Sequence, residues 1–421
     1  MKLLRRYAEP AFTILSLLHY TGGPLVVILS GGASEGDKVA TPDFALVRLI
    51  FLVIYAITFC LLAHRWKRTI YTLTKDRFIW VLIALAISSF LWSYAPSVTR
   101  TRIIALIGTT LFGLYLASRY SLKQQLRMVG LTFGLVVFLS ILFIGGLPRY
   151  GIMGGVHAGA FRGIFSHKNV FGKMIVIAIT VFGLMSTRSK QKRFPWLAGM
   201  GISFVLLLLA RSTSSLVNLM NLVMTFMTLS ILRWRSEAMI AMLCATTAIG
   251  GCTTLWLQAN LDRVLGAFGK DASLTGRGDM WPYILDKIWE RPWFGYGYGA
   301  FWLGANSEAA YVWRAVHWEP PNAHNGWLDI WLQLGLVGLI PAIAGVLFYF
   351  ARAIAWARHC KTPEGLWPGI FTVYVVLANL TETSFMVQND IFWVLYVAIV
   401  LSLSMPFEDQ SRLFPEPENS S

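Results

Sequence analysis

Ala323-His324-Asn325-Gly326-Trp327 closes the one long polar interruption, residues 258–326, of an otherwise apolar 421-residue chain. An imidazole titrates near neutral pH and can take a proton from a hydroxyl, so His324 is a candidate general base. A helix-capping His324–Asn325 pair would account for the same residues, and Glu319 and Asp329 are rival bases. Earlier in that stretch, Arg277 lies between Gly276 and Gly278. Behind it, Trp281, Ile284, Leu285, Ile288 and Trp289 recur at helical spacing. They predict an amphipathic helix capped by Asp279, with Pro282 in its first turn and Arg291-Pro292 at its end. An arginine fork on such a turn suits a pair of phosphate oxygens. Two further groups carry cations. Residues 159–172 hold Arg162, His167, Lys168 and Asn169 just ahead of an apolar run. The amino terminus of a helix there would favour an anion, although an interfacial loop with aromatic anchors fits the same residues. Arg211 sits in the turn Ala210-Arg211-Ser212-Thr213, either as a ligand contact or as a snorkelling anchor. Gly295-Tyr296-Gly297-Tyr298-Gly299 follows no strand, so it reads as a turn rather than a nucleotide loop, with Tyr298 a candidate sugar contact.

The elements that must position these residues are membrane helices. The chain is 56% hydrophobic and 14% charged, and runs of roughly 20 apolar residues have the length of a bilayer span. Twelve are expected, at 11–30, 43–62, 78–94, 102–118, 127–146, 171–187, 195–210, 213–232, 238–257, 327–350, 366–386 and 389–405. The first follows Lys2, Arg5 and Arg6 and resembles a signal peptide, but its length suits an uncleaved anchor. The net charge of +15 invites a nucleic-acid reading. Placement removes it, because 21 of the 36 Lys and Arg fall in alternate short loops such as Arg65-Trp66-Lys67-Arg68. That alternation puts both termini in the cytoplasm and the long polar stretch outside. Cys60, Cys244, Cys252 and Cys360 lie away from the polar stretch, so neither a disulfide framework nor a cysteine metal site is expected. No H-E-x-x-H or close acidic pair accompanies His324, which argues against zinc. The organisation expected is therefore all-α and polytopic: helices one to nine over 1–257, a long outer loop over 258–326, helices ten to twelve over 327–405, and a cytoplasmic tail over 406–421.

Taken in order, Phe161-Arg162-Gly163-Ile164-Phe165-Ser166-His167-Lys168-Asn169, then Leu274–Trp281, Pro292–Trp302 and Ala323–Leu339 resemble the O-antigen ligase/polymerase superfamily. The His-Lys-Asn form is most similar to its exopolysaccharide polymerase, ExoQ-like branch. That resemblance implies a GT-C-like membrane glycosyltransferase on the outer face of a bacterial inner membrane, inverting and without metal or other cofactor. The donor it implies is an oligosaccharide on undecaprenyl pyrophosphate, and the acceptor a sugar hydroxyl. It assigns His324 as base and Arg211 and Arg277 as pyrophosphate ligands, with Arg162 and Lys168 as helpers. His167, Asn169, Tyr298 and Asn325 become supporting contacts. A flippase and the chain-length or export proteins of one pathway are the expected partners, with no nucleic acid. Transfer to lipid A-core by a ligase is the alternative, and an exporter or assembly scaffold a further one. An exporter should carry charges along its helices, where this chain has little beyond Arg48 and Lys173.

Overall fold

The computed structural model describes residues 2–33, 43–187, 193–234 and 277–406, together with residues 237, 240 and 242. All of the expected span at 238–257 except Ile240 and Met242, most of the basic loop at 188–194 and the first part of the long polar stretch lie outside the described residues.

Every other expected apolar segment carries helix, and among the described residues there is no strand, only an isolated antiparallel bridge between Ile152 and Phe161. The helices run α1 (Lys2–Tyr20), α2 (Leu25–Leu29), α3 (Ala45–His64), α4 (Trp66–Leu73), α5 (Phe78–Ser88), α6 (Pro96–Arg119), α7 (Leu122–Gly146) and α8 (Pro148–Gly151). There follow α9 (Lys168–Ser186), α10 (Phe194–Leu209), α11 (Thr213–Ile231), α12 (Arg277–Glu290), α13 (Ala309–Val316), α14 (Gly326–His359), α15 (Trp367–Ala378) and α16 (Ile391–Ser404). Six of these, α3, α6, α7, α9, α11 and α14, are long and apolar enough to cross a membrane. The stretch around α5, with α10 and α16, is apolar but shorter.

The bundle is built around α16, in which all fourteen residues are buried. A helix that is apolar all round finds no face to show water and ends in the middle of a protein. Helix α6 packs along it, while α9 packs on α7 and α10. At one end of the bundle, Glu9 of α1 accepts both Arg65 Nη groups, at 2.7 and 2.9 Å, and Arg119 Nε at 3.1 Å. The other end carries everything from α12 to the start of α14.

Two expected spans are interrupted. Segment 11–30 breaks at Thr21-Gly22-Gly23-Pro24, because Gly22 takes a left-handed φ of 80° and Pro24 opens the short α2. Segment 366–386 stops being helical after Ala378, and residues 379–390 cross the end of the bundle without regular structure. The amphipathic helix α12 starts at Arg277, two residues before the predicted cap, so Asp279 lies in its first turn and Pro282 inside it. Its buried stripe is Met280, Ile284 and Ile288; with Tyr296, Phe301, Val312 and Leu332 these form a second small core beside the bundle. Trp289 of the predicted stripe is exposed instead, next to Trp293 and Phe294. Such an aromatic rim suits the membrane–water interface.

Helix α14 explains the glycine-rich turn. Gly335 takes a φ of 66°, and a Cβ there would lie 2.1 Å from the Trp293 backbone. At this kink Leu336 N–H and Val337 N–H leave their usual helical acceptors and donate to Pro292 O and Trp293 O at 2.8 and 3.2 Å. The freed carbonyls of Leu332 and Gln333 accept from Tyr296 N–H and Gly297 N–H, both at 2.9 Å. The left-handed φ values of Gly295, Gly297 and Gly299 keep that backbone close enough to do so. Four bonds between segments therefore replace two within the helix, which satisfies backbone groups that hydrocarbon could not.

Candidate active site

The turn that carries His324 is fixed from three sides. Asn325 caps α14, its Oδ1 accepting from Trp327 N–H at 3.0 Å and Leu328 N–H at 3.3 Å. Gly326 N–H donates to Asn379 O at 2.8 Å, and a Cβ on Gly326 would fall on the Asn379 side chain. From α12, Trp281 Nε1–H donates to Ala323 O at 3.1 Å. Below the turn, the buried Asp329 carboxylate accepts from Trp302 Nε1–H at 2.8 Å, from Ala323 N–H and from the Thr383 hydroxyl. Asp329 is thus a tie for the turn, and both its oxygens are occupied. Asn325 likewise acts as the cap, while His324 turns away from capping.

His324 has a left-handed φ of 47°, a conformation that costs a non-glycine residue energy and is found where surrounding contacts enforce it. Asn322 Oδ1 accepts its N–H at 2.9 Å. Its imidazole is half-buried, with the Trp318 ring centroid at 6.0 Å on one side. On the other, Nδ1 lies 3.4 Å from Glu382 Oε2. Each of these two side chains is 18% exposed. With Nδ1–H donated to the carboxylate, the lone pair sits on Nε2, the arrangement of a base oriented by an acid.

The cations separate into different settings. Arg162 is fully buried, and all five of its N–H groups point at backbone carbonyls. Nε donates to Tyr150 O at 2.9 Å, Nη1 to Ala33 and Ser166, and Nη2 to Gly32 at 2.6 Å and Arg149 at 2.8 Å. The fork holds the 149–166 loop to the turn after α2, so the expected phosphate contact is not where it points. Arg211 is exposed, in a left-handed turn with φ of 50°. Its guanidinium has no hydrogen-bonding or ionic partner among the described residues, and Nη1 lies 3.9 Å from where a Gly159 Cβ would stand. His167 caps α9, with Nδ1 accepting from Asn169 N–H at 3.1 Å, and its ring centroid is 5.5 Å from that of His157. Asn169 Oδ1 accepts the Ser212 hydroxyl at 3.1 Å. Lys168 is half-buried in the first turn of α9. The side chain of Arg277 lies outside the described residues. Its backbone starts α12 four residues before Trp281, about 6 Å along the helix.

Helix α9 joins the two groups. Its first turn meets the Arg211 turn through Asn169, and Lys173, little more than a turn deeper, donates to Ser384 Oγ at 2.6 Å. Ser384 is two residues from Glu382, the partner of His324. Tyr298 is buried, its hydroxyl 2.6 Å from Met386 O and 2.9 Å from the Gln388 amide. Burial pushes its phenol far above the usual range, so it is a neutral strut. It walls a cavity of about 170 Å³ with Arg102, Asn322, Asp329, Gln333 and Thr383.

Glu382, Thr383, Ser384 and Asn379 are the residues the sequence reading missed. They fell inside an expected span, yet Asn379, Thr381-Glu382-Thr383-Ser384 and Asn389-Asp390 make it too polar to stay one, and that was the signal available.

Residues 198–343 match the family described as O-antigen ligase. The match contains Arg211, Arg277, Tyr298, His324 and Asn325; Arg162, His167, Lys168 and Asn169 lie before it. The chain is also 24% identical over 328 residues to the exopolysaccharide production protein ExoQ of Rhizobium meliloti (strain 1021), which covers 75% of this chain and 74% of that protein. The chain is thus similar over residues 198–343 to the O-antigen ligase family, and over three quarters of its length to an exopolysaccharide production protein.

Proposed function

We propose that this protein is an inverting glycosyltransferase that polymerises undecaprenyl-pyrophosphate-linked repeat units on the periplasmic face of the inner membrane during exopolysaccharide synthesis. The observation that carries the reading is His324, held in a left-handed turn with Nδ1 against Glu382 inside the family-matched segment. Nε2 takes the proton of an acceptor sugar hydroxyl as that oxygen bonds to the anomeric carbon of the donor. The bond from that carbon to the pyrophosphate oxygen breaks on the opposite face, which inverts the centre. A positioned base of this kind contributes about 10²–10⁴-fold.

The leaving pyrophosphate gains charge as the bond breaks, and fixed cations stabilise charge where it develops. Arg211 supports this role by its exposed fork, unpaired among the described residues, and Arg277 by its place at the start of α12. Lys168 and Asn169 in the first turn of α9, behind the cap His167, add the amino-terminal field of that helix. Arg162 acts at one remove by holding their loop. The lipid tail delivers the pyrophosphate at headgroup height, beside the aromatic rim of Trp289, Trp293 and Phe294. In this reading the arginines take the place a divalent ion has in other phosphate chemistry, and activity persists in excess chelator.

The test is incubation of purified protein with one lipid-linked repeat unit in the presence of EDTA. A ladder of lengthening products is expected. Transfer only to lipid A-core would instead identify a ligase, and loss of activity in EDTA would remove the metal-free step.

A further inference from the structure

Trp318, whose ring neighbours His324, also lines a second cleft of about 340 Å³ that the transfer chemistry does not use. It is built by α13 and the turn after it. Ala309 and Val312 bury one face of α13, which leaves Trp313 and Arg314 beside the opening. His317 then takes a left-handed φ of 59° and sends the chain back on itself, bringing Trp318 and Glu319 opposite the helix. Trp313 Nε1–H donates to Pro320 O at 3.0 Å and closes the turn. Two indoles therefore form walls, and three exposed polar groups form the rim. His317 and Glu319 have no side-chain partner among the described residues, and Arg314 uses only Nε, on Ala310 O at 3.2 Å.

We infer that this cleft is a glycan subsite that holds the acceptor strand, one or more sugars away from the reacting residue. A pyranose has a face of C–H bonds and an edge of hydroxyls. The C–H face suits the negative face of an indole, and the hydroxyls need both donors and acceptors. Arg314 offers donors only, Glu319 acceptors only, and His317 one of each, so the rim serves hydroxyls of either polarity. The volume lies within the about 300–1,000 Å³ range of small-ligand clefts. A lipid tail would have to cover three polar groups, which disfavours it. The acceptor assignment follows from position: the Trp318 ring that walls the cleft stands 6.0 Å from the imidazole that deprotonates the acceptor. This inference rests on the glycosyl-transfer reading for which strand is bound, but the binding of sugar does not.

The probe is the free repeat-unit oligosaccharide, without lipid, released from the strain's own polymer. Its binding to purified full-length protein in detergent is followed by ligand-observed NMR. Trp313→Ala should weaken binding about 10-fold or more, the effect of losing one stacking face, and Trp313→Phe should restore most of it. Glu319→Gln, at an exposed position that threatens no folding, should weaken it by a few-fold. Arg211→Ala, on the donor side, should leave it unchanged. In polymerisation, Trp313→Ala should raise the KM for acceptor with little change in kcat. Binding that neither Trp313→Ala nor Glu319→Gln alters, or no binding by the wild type, overturns the subsite. Sugar binding with these sensitivities but no polymer formed would uphold the subsite and overturn the transfer reading.

Discussion

Arg162 and Arg211 stand on neighbouring loops at one end of the bundle, and both looked from the sequence like hands for a pyrophosphate. The structure gives them opposite settings. Arg162 is enclosed, and its five donors are spent on carbonyls of three separate stretches of chain, 32–33, 149–150 and Ser166. Arg211 is exposed on a strained turn, with its fork unpaired among the described residues. The difference teaches that an arginine in a turn at a helix end signals only a need for donors. Whether those donors serve the backbone or a ligand depends on burial, which a loop sequence does not encode. The two also depend on each other: Phe161 N–H, next to Arg162, donates to Leu209 O at 3.1 Å, just before the Arg211 turn. The enclosed arginine thus shapes the loop that faces the open one.

The largest test of this contrast is Arg162→Met. It leaves several buried carbonyls without donors, and the expected loss of stability is about 3–5 kcal/mol. Thermal unfolding in detergent would show it, and a fully stable variant with lost activity would turn Arg162 back into a ligand contact. Arg211→Ala should do the reverse. The melting temperature should hold within a degree or so, while turnover drops about 10²–10³-fold, the cost of one transition-state charge contact. A destabilised variant that keeps its rate per folded molecule would make Arg211 a snorkelling anchor after all.

The smallest test moves to the opposite end of the bundle, where burial again sets the behaviour of a polar group. Asp76 precedes α5; its Oδ1 accepts Ile79 N–H at 2.8 Å, while Oδ2 is buried without a hydrogen-bond partner among the described residues. Burial pushes its carboxyl up to about 6. A raised folded value means that the stabilising contribution is complete below the unfolded value near 3.8 and is lost as pH rises through about 6. Over that window this group should lower stability by at most about 1.4 kcal/mol per pH unit. Asp76→Asn, which keeps an acceptor for Ile79, should flatten that slope; an unchanged slope would show that Asp76 is hydrated.

The helices were largely legible because a bilayer demands runs of a set length: among the described residues eleven of the twelve expected runs carry helix, and six helices are long and apolar enough to cross a membrane. The interrupted ones were not. Residues 379–386 were counted in an apolar run despite their polar side chains, but Asn379 spends its carbonyl on Gly326 N–H and its Oδ1 on Ser384 and Phe385 N–H, which holds the chain out of helix. That detour supplies Glu382, so the orienting acid of the proposed base stayed invisible while the base itself did not. The tandem glycines at 295, 297 and 299 were read correctly as a turn. Their purpose, to seat a backbone in the broken ladder of α14 at Gly335, needed the partner helix to be seen.

His324 carries the central claim, and one substitution reaches it directly. His324→Ala should insert normally, unfold at the wild-type temperature within a few degrees, and still bind the lipid-linked donor. Its polymerisation rate should fall by about 10²–10⁴-fold. A folded His324→Ala protein that builds polymer at the wild-type rate would contradict the account.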